Sequence, residues 1–267
     1  MNLKFTNSLS KIALLFSLLI GLNVYQANAQ FQGPTGTSGG HPLPYIVNGT
    51  VDLVAPIDTF VNLMGTGSTG AITYLNSFGV DNTTVGTITI LLDQGYSGSE
   101  PTNIHVGQNN ATGGYLNMSA ARPIVLKPNL GLSFTITTNS YSFGSTPIQS
   151  LLRFWGAQFF TVDGESVSGQ RNLTFLVTNA NTTFKVIDIV PTSGNGIQDI
   201  RIKSLNIVGS TSTVSINTSV GIYFGGVSGL APAARSRNQD ISYVNNYIIG
   251  VNNGIYHRGL QGTQNGG

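Results

Sequence analysis

The sequence predicts an all-β chain wound as a right-handed parallel β-helix, a solenoid whose N-terminal side is closed by a cap containing one short helix. Two recurring strand patterns and a third related set carry this prediction. The first pattern reads Leu152-Arg153-Phe154, Ile187-Asp188-Ile189, Ile222-Tyr223-Phe224 and Ile255-Tyr256-His257, in steps of 35, 35 and 33 residues. The second reads Phe160-Thr161-Val162, Ile200-Arg201-Ile202 and Ile241-Ser242-Tyr243, in steps of 40 and 41. Leu173-Thr174-Phe175, Leu205-Asn206-Ile207 and Tyr247-Ile248-Ile249 form the third set, giving three short strands per turn. Strand-type self-similarity at such a period belongs to solenoids. Apolar residues alternate with polar ones, so one side of each strand faces a narrow core and the other faces outward.

Composition agrees. Hydrophobic residues make up 40% of the 267 and charged residues only 8%, which excludes a disordered chain. The 34 glycines, with many Asn, Ser and Thr, call for frequent turns and few helices. There is no cysteine, so stacked apolar side chains and backbone ladders must hold the fold.

Taken in order, residues 1–29 read as a secretory signal peptide. Lys4 and Lys11 precede the apolar run Ile12-Ala13-Leu14-Leu15-Phe16-Ser17-Leu18-Leu19-Ile20, and Ala27-Asn28-Ala29 offers a cleavage site before Gln30. The run is shorter than the roughly 20 residues of a membrane span, and none is expected in the mature chain. An exported protein, secreted or held at the cell surface, follows from this reading. Removing Lys4 and Lys11 leaves ten basic and ten acidic residues, without the basic footprint of a nucleic-acid partner.

Residues 30–44, rich in Gly, Pro, Ser and Thr, read as a flexible lead-in. Residues 45–140 read as the N-terminal cap and first turns. Their strand-like runs are Tyr45-Ile46-Val47, Thr87 to Leu92, Ile124-Val125-Leu126 and Phe134-Thr135-Ile136-Thr137. Ala71, Ile72, Leu75 and Phe78 fall on one helical face, with Ser68 as a candidate cap. Residues 141–267 read as the regular coils. The chain stops at Gln264-Asn265-Gly266-Gly267 without a recognisable closing element, so a continuation beyond residue 267 is expected.

The stretch Ala157-Gln158-Phe159-Phe160-Thr161-Val162-Asp163-Gly164, then Asn172-Leu173-Thr174-Phe175 and Gly221-Ile222-Tyr223-Phe224, resembles secreted right-handed parallel β-helix repeat proteins. It is most similar to the large exported surface proteins of Bacteroidetes-type bacteria, as are Ala71-Ile72-Thr73-Tyr74-Leu75-Asn76 and Gly86-Thr87-Ile88-Thr89-Ile90 upstream. The resemblance implies a fold and an exported location. It carries over no catalytic residue.

Candidate sites come from the residues themselves. Asp199 and Asp240 occupy the same place in consecutive coils; they read either as oxygen ligands for Ca²⁺ or as a solvated pair. Calcium is the one cofactor considered. Asp163 and Glu165 read as a glycosidase-type carboxylate pair or as a strand-ending Asp-Gly turn. Trp155 and the outward Tyr223 and Tyr256 offer ring faces for sugars. His257 follows the alternation into the core, as a general base or a plain rung residue. Gln158, Gln198 and Gln239, each two residues ahead of a strand's first apolar residue, read as a structural ladder of stacked amides. Arg153 is expected one rung from Asp188 on the outer surface. Seven Asn-x-Ser/Thr sequons, among them Asn172, reflect composition rather than glycosylation. The expected function is a non-catalytic stalk or adhesin-like module contacting a glycan or another surface protein. The alternative is a polysaccharide lyase or glycosidase on the same fold, with Arg201 beside Asp199 as its one local hint.

Overall fold

A computed structural model describes residues 45–50, 59–66, 69–81, 85–107, 116, 118–138, 142–143, 146–177, 184–191, 196–209, 219–225 and 239–258. The signal-peptide and lead-in segments, Ser68 and the last nine residues lie outside this set.

Except for one antiparallel pair, β8 (Ser142–Phe143) against β9 (Thr146–Trp155), every paired strand is parallel to its neighbour. Successive coils are β3-β4-β5 (Ile88–Leu92, Ser99–Glu100, Ile104–Val106), β6-β7-β9 (Ile124–Pro128, Phe134–Thr138, then β9) and β10-β11-β12 (Gln158–Asp163, Leu173–Leu176, Phe184–Val190). They continue as β13-β14-β15 (Gln198–Lys203, Leu205–Val208, Val220–Phe224) and β16-β17-β18 (Gln239–Val244, Tyr247–Ile249, Asn253–His257). The first strand of each coil joins a seven-stranded sheet that also takes in β1 (Tyr45–Val47) and β2 (Thr59–Phe60). The second strands form a five-stranded sheet, and the third strands together with β8 a six-stranded sheet.

The register is the one the repeats predict. Leu152 stands over Ile187, Ile187 over Ile222 and Ile222 over Ile255. Phe160, Ile200 and Ile241 stack likewise, as do Leu173 and Leu205. A single apolar core runs from Tyr45 to Phe224, and most of its members are fully buried. Burying each such side chain contributes roughly 1.5–3 kcal/mol. Corners are closed by contacts between coils: Phe154 packs edge-on against Phe160 across the β9–β10 corner, ring centroids 5.5 Å apart.

The same column extends upstream through β5, where Ile104 pairs with Leu152 and Val106 with Phe154. The step there is 48 residues, which hides β5 from a search at the 33–35 period.

The first coil is covered by the helix α1, Ala71–Phe78. Its buried residues include Ala71, Ile72 and Leu75, the predicted face. Gly70, in an extended conformation, occupies the N-cap position and no side chain caps the helix. Asn76 finishes the edge of β5. Its Nδ2 donates to the His105 carbonyl at 2.7 Å, and its Oδ1 accepts from Gly107 N at 3.0 Å. Glu100, buried on β4, holds the segment leading into the helix: its carboxylate accepts from the backbone N–H of Leu63 and Met64 and from the Tyr96 hydroxyl. Backbone groups that an open sheet edge would expose are thereby satisfied.

In one respect the expected polar-outside pattern fails. The strands of the first two sheets alternate, β3 and β6 reading buried–intermediate–buried, but all seven residues of β12 and all five of β15 are buried. At β12 and β15 the third sheet is covered on both faces, as parallel strands in α/β folds are, whereas β18 at its end is largely exposed. Arg153 and Asp188 are therefore an interior pair, not the surface pair their sequence suggests.

Candidate functional site

The outer face of the seven-stranded sheet carries a groove of about 760 Å³. Its floor follows from the strand pleat. Val125, Thr161, Arg201 and Ser242 are consecutive register partners on β6, β10, β13 and β16, so they form a row parallel to the solenoid axis. Three of the four are small. One wall is the row Asp163, Lys203, Val244, two residues further along the same strands. The other wall contains Asp199 and Asp240, two residues back.

Asp199 and Asp240 share a backbone state. With Phe159, the equivalent residue one coil earlier, they have φ of 49°, 56° and 51°. A stack of left-handed residues marks the entry of β10, β13 and β16. Asp is among the few non-glycine residues that adopt this conformation readily, whereas Phe159 adopts it against the cost of about 1 kcal/mol or more that a side chain imposes. The left-handed backbone by itself favours Asp at these positions. The Asp199 carboxylate is held by Arg201, at 2.7 Å from Nε to Oδ1 and 3.3 Å from Nη2 to Oδ2. Asp240 is exposed. Among the described residues no group of three or more His, Cys, Asp or Glu side chains is placed to hold a metal ion.

Asp163 and Glu165 converge, but on a cation. Lys203 Nζ lies 3.1 Å from Asp163 Oδ2 and 3.1 Å from Glu165 Oε2. Asp163 Oδ1 accepts from Glu165 N, and Glu165 Oε1 accepts from the Ser204 hydroxyl at 2.8 Å. All four carboxylate oxygens are engaged. Bonds from Ser204 and then Lys203 hold the Glu165 carboxyl below its usual range. Burial pulls the Lys203 ammonium down, but its bonds to Glu165 and Asp163 outweigh this and hold it above its usual value. A glycosidase acid needs the opposite, a carboxyl kept protonated near neutral pH. Gly164 lies between the two acids because the coils approach closely there: a Cβ on it would fall 1.9 Å from the Ser204 carbonyl oxygen. The Asp-Gly pair is a corner, and Ser204 and Asn245 occupy the same corner in the next coils with φ of 54° each.

The outer side of the third sheet holds a buried charged cluster. Arg153 Nη2 lies 3.0 Å from Asp188 Oδ2, and Lys185 Nζ lies 3.2 Å from Asp188 Oδ1, with all three side chains at most 1% exposed. The Lys185 ammonium also sits 3.5 Å from the centroid of the Tyr223 ring, and the Arg153 guanidinium 4.7 Å from that of Trp155. Burial dominates all three charges, pushing Asp188 up and Arg153 and Lys185 down, and their mutual attraction opposes each shift.

At Tyr223 this cluster occupies the ring face considered for a sugar. Tyr223 is 0% exposed, its ring occupied by Lys185 and by Tyr256, which stacks on it at 5.6 Å and 12°. Trp155 and Tyr256 are half-buried on the same sheet. His257 follows Phe224 in register and lies over its ring, 4.3 Å between centroids, yet stays exposed on the last described coil. Gln158, Gln198 and Gln239 are in register, but Gln158 Nε2 donates to the Gly196 carbonyl at 3.2 Å instead of to the next amide. The side chain of Gln239 lies outside the described residues. Asn172, at one of the sequons, is committed to the corner: it donates to Ser133 Oγ and accepts from Ser166 N.

Lys185, Asn76 and Glu100 escaped the sequence reading. Lys185 falls two residues before the inward Ile187, so the alternation does not place it on the outer side with Asp188, and the other two act on backbone groups of distant strands, which leaves no local pattern. The predicted residues split between two faces: Asp163, Glu165, Asp199, Arg201 and Asp240 around the groove, and Trp155, Tyr223 and Tyr256 on the third sheet. No protein-family model, no curated protein and no solved structure matches the chain.

Proposed function

We propose that this protein is an exported, non-catalytic surface module, a stalk or adhesin-like element whose groove on the seven-stranded sheet holds a glycan. One observation carries the non-catalytic part. Both cations of the groove, Arg201 and Lys203, are already paired with carboxylates at 2.7–3.1 Å, so neither they nor the carboxylates that hold them stand ready as a general acid or base. A guanidinium bonded to Asp199 is no proton acceptor, which removes the local support for a lyase. The signal-peptide pattern of residues 1–29 and the resemblance to exported surface proteins of Bacteroidetes-type bacteria support export. Among the described residues no helix is long and apolar enough to cross a membrane.

The test uses residues 30–267 on a panel of soluble polysaccharides. Affinity gel electrophoresis reads binding, and reducing-sugar and unsaturated-uronate assays read turnover. Retardation by at least one polysaccharide without product is expected. Turnover abolished by Asp199→Ala or Arg201→Ala would establish the enzyme instead. Fractionation of the expressing cell checks export.

A further inference from the structure

Resting on the glycan reading, the groove itself narrows the ligand: we infer that it accepts an uncharged polysaccharide lying along the solenoid axis and rejects polyuronates. The floor row Val125, Thr161, Arg201, Ser242 spans three inter-strand steps, about 14 Å at the spacing of paired strands. That length suits a short run of an extended polymer more than a single small molecule. The walls set its charge. Asp163, Asp199 and Asp240 line the groove with Arg201 and Lys203, and Glu165 stands behind Lys203. Three carboxylates line the groove against two cations, and both cations are already paired within the protein. An incoming uronate carboxylate would meet Arg201 and Lys203 with their charge already offset by Asp199, Asp163 and Glu165, inside a negative field.

Hydroxyl groups meet no such barrier. Each carboxylate oxygen keeps a second lone pair, and Arg201 uses only two of its five N–H donors on Asp199. Thr161 and Ser242 add hydroxyls that both donate and accept. Binding by these groups involves no net charge on the ligand, so it should vary little with salt.

Affinity gel electrophoresis of residues 30–267 in EDTA, against xyloglucan, mixed-linkage glucan, polygalacturonate and alginate, tests this. Retardation by a neutral polymer at least about tenfold stronger than by either polyuronate, and unchanged between low and high salt, is expected. The double variant Asp163→Asn/Asp199→Asn releases Arg201 and loosens Lys203. It should gain polyuronate binding that disappears at high salt, with far-UV circular dichroism unchanged. Should that variant fail to fold, Asp240→Asn, on an exposed residue, removes one wall charge and should weaken polyuronate exclusion in the same direction. Tighter wild-type binding to a polyuronate than to any neutral polymer overturns the selectivity and leaves the glycan reading standing. No retardation by any polymer overturns both.

Discussion

Asp188 and Asp199 lie eleven residues apart and look alike in sequence, each beside a basic partner. Their energetics differ because one pair is sealed from water and the other is not. Removing Asp188 leaves Arg153 and Lys185 buried without their counter-charge; Asp188→Ala should cost about 3–5 kcal/mol in urea denaturation. Asp199→Ala breaks a pair whose arginine is 59% exposed and should cost no more than about 1 kcal/mol. The register that puts Arg153 beside Asp188 is legible from the 35-residue step. Their burial is not, since an alternating strand says which residues face outward and nothing about what covers that side. A similar limit applies to Asp199 and Asp240, whose equivalence is plain in sequence but whose left-handed backbone is visible only beside Phe159. The Glu165–Lys203 contact gives a pH signature. Glu165 titrates below its ordinary value, so its contribution is present above pH 4.5 and is lost as pH falls through the depressed value. Lys203 titrates above its ordinary value, so the contact is intact below pH 10.5 and is lost as pH rises through the raised value. The Tm deficit of Glu165→Gln should therefore be a plateau across neutral pH that shrinks toward both extremes. A deficit flat across the whole range would rule out the ion pair as its source.

At the level of elements, the cap and the corners decide whether the coils stay paired. The apolar face of α1 could be read from Ala71, Ile72 and Leu75 because a helix leaves a periodic trace. The side chain that makes it a cap, Asn76, leaves none, since its role is to imitate a strand for His105 and Gly107. Asn76→Ala removes the hydrogen bonds to the His105 carbonyl and to the buried Gly107 N–H, and should cost about 1–3 kcal/mol. Hydrogen exchange should localise the loss to β5 and α1; protection lost uniformly along the chain would contradict the cap assignment. Gly164→Ala tests the corner. Its Cβ would meet the Ser204 carbonyl, a backbone atom that cannot swing aside, so the β10–β13 step must open. Destabilisation beyond about 1 kcal/mol is expected, more than the helix or strand propensity of alanine would suggest. Dipeptide rules identify Asp163-Gly164 as a turn. They do not show that the coil above closes over it.

For the molecule as a whole, the claim is that coils some 33 to 41 residues long lie in register, parallel and one strand apart. Sequence periodicity carries this for the coils from β9 onward, where steps stay nearly constant. It weakens upstream, where β4 has only two residues and the 48-residue step before Leu152 hides β5. Function is less legible still, because the groove arises from side chains spread over four coils whose lateral order exists only once they stack. The absence of cysteine makes the stacking directly measurable. Thr174 and Asn206 are register partners on β11 and β14, and Asn206 Nδ2 reaches Thr174 Oγ1 at 3.3 Å. Thr174→Cys/Asn206→Cys should close a disulfide under mild oxidation, seen as a shifted band that reverts with reductant, because neighbouring strands meet the Cα separation a disulfide needs. Thr174→Cys/Val208→Cys, displaced by two residues on the same strand, should stay reduced, its Cα atoms more than ~7 Å apart. Closure of the displaced pair, or of neither, would contradict the parallel register.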